Sequence, residues 1–203
     1  MSKPALFTIG HSNLDLATFV RLLKLHEVEA IADVRSKPYS RWMPHFNQDA
    51  LKSHLAKINI RYVFLGDELG ARREEAECYV GPKAKYELIA KTESFKSGLQ
   101  RVHTGGAKMR IALMCSEKEP LDCHRTVLVC KYLKDDFEIK HLNQSGGFET
   151  HEELETRMLE TERLAQPDLF QSRSELLEQA YERRGDKIAY CRSHGNSTED
   201  LNP

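Results

Sequence analysis

The sequence contains no apolar run long enough to cross a bilayer, which argues against a membrane partner. It has a single tryptophan, and its charges almost cancel. Thirty Lys and Arg stand against 31 Asp and Glu, for a net charge of -1. No global field therefore draws the chain to nucleic acid or an anionic surface. No basic-then-apolar export signal precedes the first strand-like segment, Ala5 to Ile9, which points to the cytoplasm. The 5 cysteines are odd in number and irregularly spaced, with no C-x-x-C pair. That pattern argues against a secreted disulfide framework and for reduced thiols. Internal repeats and low-complexity tracts are lacking as well. At 203 residues the chain suits one domain, with a core that needs no disulfides.

What is present is alternation. Ala5 to Ile9 reads as a strand, and Ser12 to Asp15 as a helix start with capping oxygens. Leu16, Phe19, Val20 and Leu23 then form one helical face. Further strands are expected at 28–34, 61–65, 108–114 and 137–142. Helices are expected after Asn47 as cap, over 84–91 and 94–103, and over 125–133, where Cys130 faces a core. The order predicts an α/β fold, a three-layer sandwich with a mostly parallel sheet of about five strands. Residues 1–150 form that domain. Residues 151–185 read as a charged helical extension packed on it, joined at Gln166-Pro167-Asp168, and 186–203 as a frayed tail.

The unusual residues fall in the loops after the strands, where an open parallel sheet builds its ligand crevice. Gly10-His11-Ser12 follows the first strand. The second loop, Asp33 to His45, holds Arg35, Lys37, Ser40, Arg41 and Trp42 between prolines. Arginines there suit a planar anion. The third loop pairs Asp67 and Glu68 with Arg72 and Arg73. The fourth is the densest: Cys115, Glu117, then Cys123-His124-Arg125. With Asp122 as helix cap, Cys123, His124 and Arg125 would occupy one first turn, where the dipole and a cation favour a thiolate.

These motifs, from Ile9-Gly10-His11-Ser12-Asn13 through Asp33-Val34-Arg35 and Leu65 to Gly70 to the run from Met114 to Arg125, resemble the DUF488 family, a domain family of unknown function. The stretches Tyr86 to Ala90 and Gln166 to Phe170 are similar to it too. The resemblance covers most of the chain and implies a compact α/β domain without supplying a mechanism. It places the family signature on His11, Ser12, Asp33, Arg35, Cys115, Glu117, Cys123, His124 and Arg125.

Three functions follow from the residues. The first is an enzyme acting on a phosphorylated or nucleotide-like anion. His11, Ser12, Asp33, Arg35, Ser40, Arg41, Arg72 and Arg125 would bind the substrate. Cys115 or Cys123 would attack, and His124, Glu117 or Asp67 would move protons. Cysteine phosphatase and rhodanese chemistry is not transferable. Arg125 lies ten residues after Cys115 and two after Cys123, and neither interval fits those loops. The second is a metal or redox site using Cys115, Cys123, His124 and His11, with zinc or iron as the ion. Adjacent Cys123 and His124 are not expected to face one ion, so no metal ligand set and no cofactor is assigned. The third is a nucleotide- or nucleic-acid-binding module built on Arg35, Lys37, Arg41 and Trp42, against which the near-neutral charge counts.

Overall fold

A computed structural model describes residues 3–166 and 171–192. In chain order it contains β1 (Ala5–Gly10), α1 (Leu16–Leu25), β2 (Ala30–Asp33), α2 (Gln48–Ala56), β3 (Arg61–Phe64), α3 (Gly66–Leu69), β4 (Tyr79–Val80) and β5 (Lys83–Ala84). There follow α4 (Tyr86–Ile89), α5 (Glu93–Gly106), β6 (Ile111–Cys115), β7 (Glu138–Leu142), β8 (Phe148–Thr150), α6 (His151–Thr161) and α7 (Arg173–Ile188).

Alternation along each strand builds two cores. Phe7, Ile9, Ile31, Ala112 and Met114 point to one face and pack against Phe19, Leu22 and Leu23 of α1 and Leu51 and Leu55 of α2. Leu6, Ala32, Ile111, Leu113 and Cys115 point to the other. There they meet Phe95 and Val102 of α5 and the segment Leu128–Val129. The result is a three-layer α/β sandwich. The sheet has six strands in the order β3-β2-β6-β1-β7-β8, all parallel except the last. The sixth strand, β8, adds to the expected five; it folds back on β7 through a turn in which Gly146 takes φ +101°.

The topology sets the position of the site. From β1 the chain leaves toward β2 on one side, and from β6 it leaves toward β7 on the other, while β1 and β6 are neighbours. Their carboxyl ends therefore flank a switch point, where the departing loops open a crevice. The register aligns the ends closely: Gly10 pairs with Cys115, and Asp33 with Met114.

Local details, some expected and some not, bear on function. Asp15 caps α1, accepting from the Thr18 N–H at 2.7 Å. Asn47 precedes α2 without capping it; its Oδ1 accepts from the Ser40 N–H at 2.7 Å and pins the basic loop instead. The expected helix at 125–133 is a π turn, Arg125–Val129, followed by a 3-10 turn. A third cluster seats α6 and α7 on this segment, with Leu121 and Val127 against Leu154, Met158, Leu177 and Tyr181. The last helix extends past the expected boundary at 185. Helix α7 runs to Ile188, and the Arg192 N–H donates to Pro82 O at 2.8 Å. The junction at Pro167-Asp168, the stretch to Phe170 and the tail beyond residue 192 lie outside the described residues. Among the described residues no helix is long and apolar enough to cross a membrane.

Candidate functional site

The end of β6 delivers Cys115 to the crevice, and the chain then passes directly over Gly10. A Cβ on Gly10 would stand 1.8 Å from the Glu117 carbonyl oxygen, so only glycine permits that crossing. Arg125, fully buried, holds the turn from below. Its Nη1 donates to Glu117 O at 2.6 Å and its Nη2 to Lys118 O at 3.3 Å. The 3-10 turn Pro120–Asp122 follows, and Cys123 leaves it in an extended conformation, φ -130° and ψ 134°. The Thr126 and Val127 N–H groups both donate to Cys123 O at 3.1 Å. Cys123, and not Asp122, therefore opens the π turn. The Asp122 carboxylate pairs with Arg184 of α7.

This path brings the expected catalytic group together, with one exception. The Cys115 and Cys123 thiols both donate to Glu117 Oε2, at 2.8 Å and 3.1 Å. His124 Nε2 donates to Val34 O at 2.9 Å, which leaves its Nδ1 lone pair 3.6 Å from Cys115 Sγ. Donor atoms of Cys115, Glu117, Cys123 and His124 all lie within 4.8 Å of one another. The expectation that adjacent Cys123 and His124 diverge is overturned. Asp67 is the exception: it lines an adjoining hollow with Arg73 and Glu75, across Lys37, Arg72 and Tyr190 from the cluster, while Glu68 pairs with Arg101.

Electrostatics divides the thiols. Burial pushes Cys123 up, but the Cys115 S–H, the Arg125 guanidinium and His124 outweigh it and bring Cys123 down to about 6. Burial and the neighbouring Cys123 push Cys115 well above its ordinary value of 9.0. Burial also opposes ionisation of Glu117, yet the two S–H donors and His124 bring it to about 2. His124 is raised on balance, with burial opposed by Cys123 and Glu117.

The arginines expected to bind an anion are differently placed. Arg35 is buried and bidentate on Asp33, with Nε to Oδ1 at 2.9 Å and Nη2 to Oδ2 at 2.6 Å. It also donates to Phe46 O at 2.8 Å and meets His11 Nε2 at 3.1 Å. Four of its five N–H donors are thus engaged within the protein. Tyr62 closes the cluster by donating to Asp33 Oδ2 at 2.6 Å. His11 stacks on Phe46 and is pushed down to about 4 by burial and then by Arg35. His11 and Asp33 are therefore a buried pillar beside the thiols, and Arg35, largely committed to that pillar, still reaches the lining of the cleft with one N–H uncommitted among the described residues. Arg125 likewise turns its donors inward, to the Glu117 and Lys118 carbonyls and the Thr8 hydroxyl. Ser12 is in a left-handed turn at φ 44°, and its N–H donates to Ser116 O at 2.8 Å.

A cleft of about 570 Å³ opens in front of the cluster. Its lining includes Cys115, Ser116, Glu117 and His124 of the cluster, Arg35, Lys37, Tyr39 and Ser40 of the second loop, and Arg72, Tyr86 and Tyr190. Tyr190 comes from the segment after α7 and carried no sequence signal. A buried chain was also missed. Arg125 Nε donates to Thr8 Oγ1 at 3.4 Å, and Thr8 Oγ1 lies 2.8 Å from His141 Nδ1. His141 Nε2 lies 3.0 Å from His151 Nδ1, and His151 Nε2 2.8 Å from the Tyr181 hydroxyl. Tyr181 donates to Glu155 at 2.9 Å, and Lys134 pairs with Glu155 at 2.7 Å. With cationic Arg125 at one end and carboxylate Glu155 at the other, the donors all point one way. This line ties α6 and α7 to the residue that holds the Glu117 turn.

Residues 15–132 match the family described as Domain of unknown function DUF488. The match includes Asp33, Arg35 and the run from Cys115 to Arg125; His11 and Ser12 precede it. No curated protein and no solved structure matches the chain. With more than half of its length matched, the chain belongs to the DUF488 family.

Proposed function

We propose that the chain is a hydrolytic metalloenzyme. Cys115, Cys123 and His124 hold a zinc ion, and an anionic, nucleotide-like substrate fills the cleft above it. The observation that carries this reading is the convergence of two thiols, one imidazole nitrogen and one carboxylate within 4.8 Å. Tetrahedral zinc with Zn–S of about 2.3 Å and Zn–N of about 2.0 Å has an S···N edge of about 3.5 Å. The Cys115 to His124 distance is 3.6 Å. A metal-binding imidazole is normally fixed by a carbonyl on its other nitrogen, and Val34 O serves His124 so. Two thiolates neutralise a divalent ion, while buried Arg125 balances Glu117.

Glu117 faces the cleft and is not needed as a ligand. Metal binding would deprotonate both thiols and so remove the S–H donors that hold the Glu117 carboxylate low; Glu117 would then take a proton from the attacking water and return it to the leaving group, as the new bond to oxygen forms and the substrate bond breaks. Lys37 and Arg72 line the cleft with no carboxylate partner among the described residues, and they would meet the substrate's negative charge.

One observation favours a second reading, a thiol nucleophile: Arg125 and His124 stand beside Cys123 and draw its thiol below the ordinary value of 9.0, the direction that favours a thiolate. Metal analysis of protein purified without an affinity tag separates the two. About one zinc per chain, lost in Cys123→Ser, supports the metal centre. Metal-free protein in which iodoacetamide labels Cys123 rapidly at pH 7 would overturn it in favour of the nucleophile.

A further inference from the structure

We infer that the substrate of the cleft is a nucleotide within single-stranded nucleic acid, and that the loop from Lys37 to Trp42 is the platform that holds the strand. The inference rests on the cleft being the substrate site but does not require the metal.

Tyr39 and Trp42, 75% and 77% exposed, are the most exposed large apolar side chains among the described residues. They are not displayed by a loose segment. Trp42 N–H and Met43 N–H each donate to Ser40 Oγ at 3.2 Å, Ser40 N–H to Asn47 at 2.7 Å, and Gln48 N–H to Pro38 O at 3.0 Å. The turn is built in advance and holds two rings in water. The Arg41 guanidinium lies 4.9 Å from the centre of the Trp42 ring, and Arg72 lies 5.0 Å from that of Tyr190. Among the described residues neither arginine has a carboxylate partner, and nor has Lys37. Flat rings with stacked, unpaired guanidinium groups are what bases and phosphates need.

Position separates a strand from a free nucleotide. Tyr39 and Ser40 line the cleft, whereas Arg41 and Trp42 lie beyond its lining. A nucleotide confined to the cleft lining does not meet them, whereas a flanking nucleotide running out past Ser40 would. A duplex hides its base faces, and a net charge of -1 supplies no broad field for its backbone.

Trp42 is the only tryptophan, so its fluorescence reports on the platform directly. Zinc-loaded and chelator-treated full-length protein would be titrated with oligothymidylate and oligouridylate of about ten nucleotides. Thymidine monophosphate and a matched duplex serve as comparisons. Either strand should quench Trp42 in both metal states, with affinity falling as salt rises. The monophosphate should not quench it. Tyr39→Ala and Arg41→Ala should each weaken binding about tenfold. Absence of quenching at low salt up to about 100 µM protein, equal duplex affinity, or unaffected variants would overturn the inference. Quenching by protein that takes up no zinc would leave this proposal standing and remove the metal centre. Zinc uptake without quenching would do the reverse.

Discussion

Replacing His151 by glutamine should make the protein less sensitive to acid. His151 is 6% exposed, between His141 and Tyr181. Burial, with Lys134 nearby, lowers it from 6.5 to about 4 although Glu155 pulls the other way. Because the folded value lies below the unfolded one, the native state favours the neutral ring. The contribution to stability is complete above pH 6.5 and is lost as pH falls from there through 4. The full difference corresponds to about 3 kcal/mol, of which about 2 kcal/mol has gone by pH 5. Against a total stability of about 5–15 kcal/mol that is a large fraction. Glutamine keeps a neutral donor and acceptor but does not titrate. Urea unfolding at pH 7.5 and pH 5 should therefore show the wild type losing about 2 kcal/mol more than His151→Gln. His11 and His141 are also pushed down and add losses of the same sign, while raised His124 opposes them. The His11 and His124 contributions cancel in the comparison of variant with wild type, whereas His141, which His151 itself helps to push down, is relieved in the variant and widens the difference in the same direction. Equal losses in the two proteins, or a folded-state His151 resonance titrating near 6.5, would refute the reasoning.

Gly10→Ala places a methyl group where the Glu117 carbonyl stands. It should cost about 3 kcal/mol or more and lower metal content, read by thermal unfolding and metal analysis. Arg125→Gln removes the buried cation that balances Glu117 and holds its carbonyl; a loss of about 3–5 kcal/mol is expected in urea unfolding. Tyr181→Phe deprives His151 and Glu155 of a common partner and should cost about 1–3 kcal/mol. A stability unchanged within error would show that the buried chain carries no energetic weight.

Much of the frame was readable because it depends on periodicity. Strand alternation and the helical spacing of Leu16, Phe19 and Leu23 are local, and the alternation of elements implies a parallel sheet. Strand β8 was not readable, since three residues cannot show a period. The site was legible as residue types and loops, because each loop follows a strand. Pairing was not. Arg35 and Arg125 look like ligand-binding arginines in sequence. Their partners, Asp33, His11 and Phe46 O for one and the Glu117 and Lys118 carbonyls for the other, are fixed by tertiary packing. His141, His151 and Tyr181 come from a strand and two helices and converge only when α6 and α7 dock.

The position of one helix boundary decides whether Cys123 and His124 can serve a single ion. Capping at Asp122 would make them consecutive helical residues, their side chains about 100° apart around the axis. Sequence spacing then argues against a shared ligand. The boundary falls one residue later. Cys123 is extended, and His124 has helical angles, φ -61° and ψ -26°. An extended residue followed by a helical one does not obey the helical angular step, so both side chains can turn toward Cys115. Two features hold the boundary there. The Cys123 carbonyl accepts from both Thr126 and Val127, and His124 Nε2 is anchored on Val34 O. A substitution that moved the cap back to Asp122 would separate the two donors without removing either. The Asp122 carboxylate is committed to Arg184 of α7 and so is unavailable as that cap. The C-terminal helix thereby contributes to the geometry of a cluster it does not touch. Arg184→Ala, which frees Asp122, should lower zinc occupancy while leaving every proposed ligand in the chain, and unchanged occupancy would refute this role for α7.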